Sequence, residues 1–576
     1  MFRCIAIGAL ILPLSHAVSA NDSGAAAKAA LEKNCARCHA NGQSEGGFGF
    51  LLDAKELVAR KKVVPGDAAK SLLFKKVQAG EMPPEDEKPR PTAEEIAALK
   101  AWIDGGAPAF GTVAAKRTAV SELAAMTAVR DHLRSLTSPS GQQFQRYFSL
   151  THLHNNASVT DEDLRWNRAA LSKVVNSLSW KPNIVVPAPV DKDETIYVVD
   201  VRDLDWDQRR IWDELAKHYP YGLTHDGRRD EQFRAVAKEA CRLSGADLPI
   251  LRADWFVAKA TRPPLYHTIL DLPDTDAKLE KLLRIDATEN FLRDKLARAG
   301  FAKSGVSTQN RVIERHDSAY GAYWKSYDFR SNDGTGNIFR FPLGPSFKGN
   351  PFNAQAFTHA GGELIFHLPN GLQGYLLVDD KGKRIDEGPT DIVSDTNKSS
   401  GSVAIVNGLS CIVCHKHGTI RDGFRDELFG GNGVAGEARA KVLQLHRKPG
   451  EFDALMKGDQ DRFVASLDRA MGRYLKVGAD QRKDIREFTE EPIGRAARAY
   501  HRDLSLEDAA AELGFENGSQ LAAAINGNDR LRQLGLGPLV NGGVMKRSAW
   551  ESQNQRLSPF QRAALELDRG SPHLPF

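Results

Sequence analysis

The 576-residue chain is short of the features that most quickly classify a protein. It has no long apolar run: the longest, Ile5–Leu14 near the N-terminus, is about half of the ~20 residues that span a bilayer. It has no excess of either charge, with 78 Lys+Arg against 74 Asp+Glu, which argues against nucleic acid or an anionic membrane surface as partner. No internal repeat, P-loop or glycine-rich dinucleotide fingerprint is present, which argues against solenoids and the common nucleotide-binding folds. Cysteine and methionine are scarce, with six of each. The remaining composition is average, 26% charged and 41% hydrophobic with a mean hydropathy of −0.41, as in globular chains. The length alone suggests about three or four domains.

The first residues have their own logic. Arg3, the apolar run Ile5–Leu14 and the small residues Val18-Ser19-Ala20 form a charged, then apolar, then cleavable pattern, that of a secretory signal peptide over 1–20. Cys4 precedes the apolar run and so does not read as a lipidation site. A chain starting near Asn21, exported and soluble in the periplasm or an equivalent compartment, is expected.

The few cysteines are not scattered. Four of them form Cys35-Ala36-Arg37-Cys38-His39 and Cys411-Ile412-Val413-Cys414-His415. Two thiols three residues apart on one helical turn reach the two vinyl groups of a single haem, and the adjacent histidine presents its imidazole to the iron. With six cysteines and sixteen histidines in the chain, chance supplies on the order of 0.002 such pentapeptides. Zinc would require four ligands per site, and Cys241 alone is left over. Two covalent c-type haems are therefore expected, held by Cys35 and Cys38 and by Cys411 and Cys414, with His39 and His415 on the irons.

The sixth ligand distinguishes an electron carrier from an open, reactive iron. Met82, in Gly80-Glu81-Met82-Pro83-Pro84, sits in a stiff loop suited to a ligand that must not drift, and is the expected partner of His39. For the second iron, Met456, Met471, His446, His359, His367 and an open position all remain; His417 lies on the same side as His415.

Residues from about 30 to 109 resemble the planctomycete-type cytochrome c domain. The resemblance rests on the first haem motif, Val64-Pro65-Gly66-Asp67, Ser71-Leu72-Leu73, Gly80–Pro84 and a last helix Ala93–Asp104 bearing Trp102. It implies a small all-α haem domain with His39 and Met82 as axial ligands. Independently, Thr92 and Glu95 form a capping box opening that helix, which Gly105-Gly106 ends.

A multidomain, mainly α chain is expected beyond it: the cytochrome c domain over 21–111, a helix and linker over 112–141, and a mainly helical region over 142–334. A small antiparallel β layer leading into a second haem c region follows over 335–500, then a helical segment over 501–576. Helices are predicted at Asp161–Leu178, Asp207–Lys217, Asp230–Leu243, Asp276–Ala299 and Glu451–Leu475. Strands are predicted at Thr195–Val201, Asn337–Leu343, Gly362–Leu368, Gly374–Asp379 and Arg384–Asp386. Glu363 is the carboxylate in this layer that could serve as an acid or base beside an open iron. Two functions fit: a dihaem electron carrier serving redox donor and acceptor proteins, or a dihaem oxidoreductase of peroxidase or oxygenase type acting on a small-molecule substrate. Taking four cysteines into haem leaves Cys241 unpaired, so no internal disulfide is expected.

Overall fold

The computed structural model describes residues 20–39, 47–107, 110, 117–420, 426–429, 431, 433–553 and 556–574. The leader over 1–20, apart from Ala20, lies outside the described residues. The chain forms two compact units, Met1–Lys116 and Arg117–Phe576.

The described part of the first unit is all-helical. Its helices are α1 (Ala20–Asn34), α2 (Ala36–His39), α3 (Ala54–Ala59), α4 (Leu72–Gln78) and α5 (Ala93–Asp104). Leu31, Leu57, Leu99, Trp102 and Ile103 fill the core. Glu95 ties the unit together. It completes the capping box with Thr92 and also takes Lys33 (2.9 Å) and Asn34 (3.1 Å), so α5 is clamped to the end of α1 where Cys35 begins.

The second unit begins with α6 (Glu122–Ser135). Next come a small sheet of β1 (Gln145–Ser149), β2 (Ala188–Pro189), β3 (Ile196–Asp200) and β4 (Ile250–Arg252), ordered β2-β3-β1-β4, and among these strands the helices α7 (Asp161–Ser177) and α8 (Glu231–Ser244). Helix α9 (Ala253–Ala260) follows directly. A larger, fully antiparallel sheet is built from β5 (Leu296–Phe301), β6 (Arg311–Ser318), β7 (Gly321–Asp328), β8 (Gly361–His367) and β9 (Gln373–Asp379), in the order β9-β8-β7-β6-β5. Helices α10 (Leu409–Cys414), α11 (Pro449–Leu475) and α12 (Pro492–Tyr500) come after it. One buried apolar cluster runs from Phe148 to Ala564.

Helices dominate the chain, but the region expected to be mainly helical carries more strand than predicted. The helix expected over Asp276–Ala299 is two short helices, Asp276–Leu282 and Ala287–Leu292, followed by β5. β6 and β7 also lie before residue 335. The strand expected over Asn337–Leu343 is instead a run of turns, and Arg384–Asp386 contributes only a bridge from Arg384 to Val378. Both other predicted strands of the layer are present as β8 and β9.

Candidate haem sites

The two Cys-x-x-Cys-His segments share a local geometry. In each, the backbone N–H of the histidine donates to the carbonyl of the first cysteine, at 3.2 Å for His39 and Cys35 and 2.8 Å for His415 and Cys411. That helical turn sets both thiols and the imidazole on one side of the chain. Each histidine also donates Nδ1–H to a main-chain carbonyl, Phe48 for His39 (3.0 Å) and Gly418 for His415 (3.3 Å). Fixing Nδ1 leaves Nε2 as the ring nitrogen available to a metal, the arrangement by which proteins orient a ligating histidine. The donor sets at both segments thus suit a covalently attached haem. Cys35, Cys38, Cys411 and Cys414 are all free thiols; so is Cys241, whose thiol faces the Asp247 carbonyl at 3.5 Å. Burial pushes Cys35 and Cys414 up to about 11 and raises Cys411 well above the usual thiol value.

At the first segment, α2 is tied to the Met82 loop by Arg37, which pairs with Glu87 at 2.8 Å and donates to the Lys88 carbonyl. Arg90 secures the loop itself. Its guanidinium donates to the carbonyls of Gly80 (2.7 Å), Pro83 (2.8 Å) and Pro84 (2.7 Å), on both sides of Met82. Met82 itself is 40% exposed. Sequence reasoning found Met82 but neither arginine, because nothing in the spacing marks a residue that binds carbonyls six to fifty-one positions away.

Residues 35–86 match the family Planctomycete cytochrome C. The match spans the first haem segment and Met82 and supports a covalently bound, iron-containing c-type haem with haem-based electron transfer in this part of the chain. No curated protein and no solved structure matches the chain. Among the described residues no helix is long and apolar enough to cross a membrane.

At the second segment, α10 packs on α12 through Gly494, where a side chain would collide with Val413. Gly418, at φ +97°, turns the chain back so that its carbonyl meets His415, and a side chain there would press on Phe463 and Gln460 of α11. His415 stands over one face of the large sheet: its ring stacks with Tyr375 at 6.0 Å, and its Nε2 is 3.6 Å from the Glu363 carboxylate. Cross-strand pairing puts Glu363, Tyr375 and Trp324 on that same face. α11 covers it too, since Asp459 binds Arg315 and the Trp324 indole. Burial alone would raise the Glu363 carboxyl; His415, its hydrogen bond, the Cys411 thiol and Arg311 instead bring it down to about 2.

The candidate sixth ligands separate on this frame. His359 packs edge-on against Tyr327, whose side chain is on the opposite face. His446 bridges Arg298 on the edge strand β5, three strands from Glu363, and gives Nδ1 to Asp426 at 2.8 Å. Met471 lies eleven residues beyond Gln460 along α11, about 16 Å of helix. Met456 is one turn from Gln460 and only 1% exposed, packed in the apolar core. Glu363 is the ionisable group recorded at His415 Nε2.

Proposed function

We propose that this chain is an exported dihaem c-type cytochrome that passes electrons between redox partners outside the cytoplasmic membrane. Haem 1 is held by Cys35 and Cys38, with His39 and Met82 on the iron; haem 2 is held by Cys411 and Cys414, with His415 on the iron. The observation that carries the reading is the repeated Nδ1-to-carbonyl anchoring of a motif histidine at both segments. The pattern of residues 1–20 supports export, the compartment where c-type haem is attached and disulfides are otherwise common.

A haem supplies an iron that cycles between two oxidation states. The chain's work is to hold it still and set its environment. Phe48 and Gly418 fix the imidazole planes, Arg90 holds the thioether loop, and the stacked Tyr375 lies beside the second histidine. A second reading, a redox enzyme with haem 2 as its reaction centre, is favoured by the carboxylate beside His415 Nε2 and by the size of the second unit.

Two haems per polypeptide, by alkaline pyridine spectroscopy of protein matured in a host that attaches c-type haem, is the expected result. Cys411→Ala combined with Cys414→Ala is expected to leave one, and intact mass to show a chain beginning near Asn21. A wild-type content of one haem contradicts the proposal.

A further inference from the structure

Glu363 depends on the two groups that haem attachment would take away. In the structure its carboxylate is served by the Cys411 thiol and by His415. Addition of that thiol to a vinyl group turns S–H into a thioether, and iron occupies Nε2. The next cation, Arg311, already pairs with Asp328 at 2.6 Å. Ser326 is engaged as well, its oxygen accepting the backbone N–H of Glu363 itself. Once haem is in place, the carboxylate has lost its neighbours and still lies beside the iron-bearing nitrogen.

Exposure separates the candidates here. The Glu363 and His415 side chains keep 17% and 13% of their surface, whereas Met456 keeps 1% within close-packed core. Bringing Met456 to the iron would require emptying part of that core. A carboxyl group can accept a hydrogen bond from a small ligand or donate one to it.

Resting on the dihaem reading, we propose that no methionine or histidine of this chain closes the sixth position of haem 2, and that the Glu363 carboxylate borders it instead. The site then takes a small protic ligand, such as water or a hydroperoxide, with Glu363 as its hydrogen-bonding partner. Haem 1 remains closed by Met82, so the two haems differ in kind.

Electron paramagnetic resonance of the oxidised full-length protein tests this, with fluoride and cyanide as probes. One high-spin and one low-spin haem are expected, with cyanide converting only the high-spin signal. Glu363→Gln is expected to keep two haems per chain and to change the fluoride affinity of the high-spin haem severalfold, because the hydrogen-bonding group that borders its open position is altered. Met456→Leu is expected to leave both spectra unchanged, a control that stands even where the Glu363 variant folds poorly. Two low-spin haems inert to both probes, a high-spin signal appearing only in Met456→Leu, or an unchanged fluoride affinity in Glu363→Gln would each overturn the proposal. A haem content of one per chain, by contrast, rejects the dihaem reading itself.

Discussion

Arg90 holds three carbonyls that bracket Met82, and one guanidinium does this because its donors fan out in a plane. The bonds are charge-assisted, and at a half-exposed site each contributes on the order of 1 kcal/mol. Arg90→Ala is therefore expected to loosen the loop and weaken thioether ligation without unfolding the unit. The readouts are the long-wavelength charge-transfer absorption of a thioether-bound ferric haem, which should fade, and the reduction potential of haem 1, which should fall. Arg90→Lys should restore little of either, since a single ammonium cannot reach all three oxygens. An unchanged spectrum and potential in Arg90→Ala would count against a positioning role. At this scale the sequence was legible where chemistry is local: thiols and imidazole five residues long announce themselves. Arg90, Phe48 and Gly418 act through hydrogen bonds to or from backbone groups, and no spacing rule marks them.

Helix α12 reaches the second haem segment through a chain of contacts that begins in a buried ion pair. Lys173 of α7 meets Glu491 at 2.9 Å, with both side chains nearly sealed from solvent. Glu491 also caps α12, its other oxygen accepting the Gly494 N–H at 2.6 Å, and Gly494 is where α10 rests. Breaking such a pair strands a charge in the interior. Lys173→Met is expected to destabilise the second unit by about 3 kcal/mol in denaturant titrations, and the double variant Lys173→Met/Glu491→Gln by clearly less than the two single effects added. Simple additivity would show that the two side chains do not act as a pair. The same burial of polar groups explains what sequence reading missed among the elements. β6 alternates strictly, but its buried side carries Val312, Glu314 and His316, and the facing positions of β5 and β7 carry Arg298 and Lys325. A charged interior face reads as polar surface, so the period-two signal was lost. β8 and β9, with Leu364, Phe366, Leu376 and Val378 inward, were legible for the opposite reason.

The two units carry unequal shares of titratable histidine, which predicts a pH signature for the whole molecule. The described residues of the first unit hold one histidine, His39, which the proposed function assigns to an iron. The second unit buries several. Burial lowers His225, His359 and His367 to about 4. For His367 the geometry agrees: Nδ1 accepts the Ala322 N–H at 3.2 Å, and Nε2 is sealed from solvent. Between pH 6.5 and 4 the unfolded chain takes up protons at these imidazoles that the folded chain refuses, so stability falls as the solution is acidified. His367, lowered from its ordinary value to about 4, alone accounts for up to about 3 kcal/mol of that loss. Asp254, held near 2, adds to it in the same direction below pH 4.5, as its ordinary carboxyl range is crossed in the unfolded chain. Calorimetry of the oxidised full-length protein is thus expected to show the transition of the second unit moving down steadily from pH 6.5 to 4, while that of the first moves little over that range. His367→Gln, whose amide oxygen can still accept the Ala322 N–H but cannot titrate, should flatten the slope of the second transition. Parallel shifts of both transitions, or a slope untouched by His367→Gln, would place the pH sensitivity somewhere other than in these buried imidazoles.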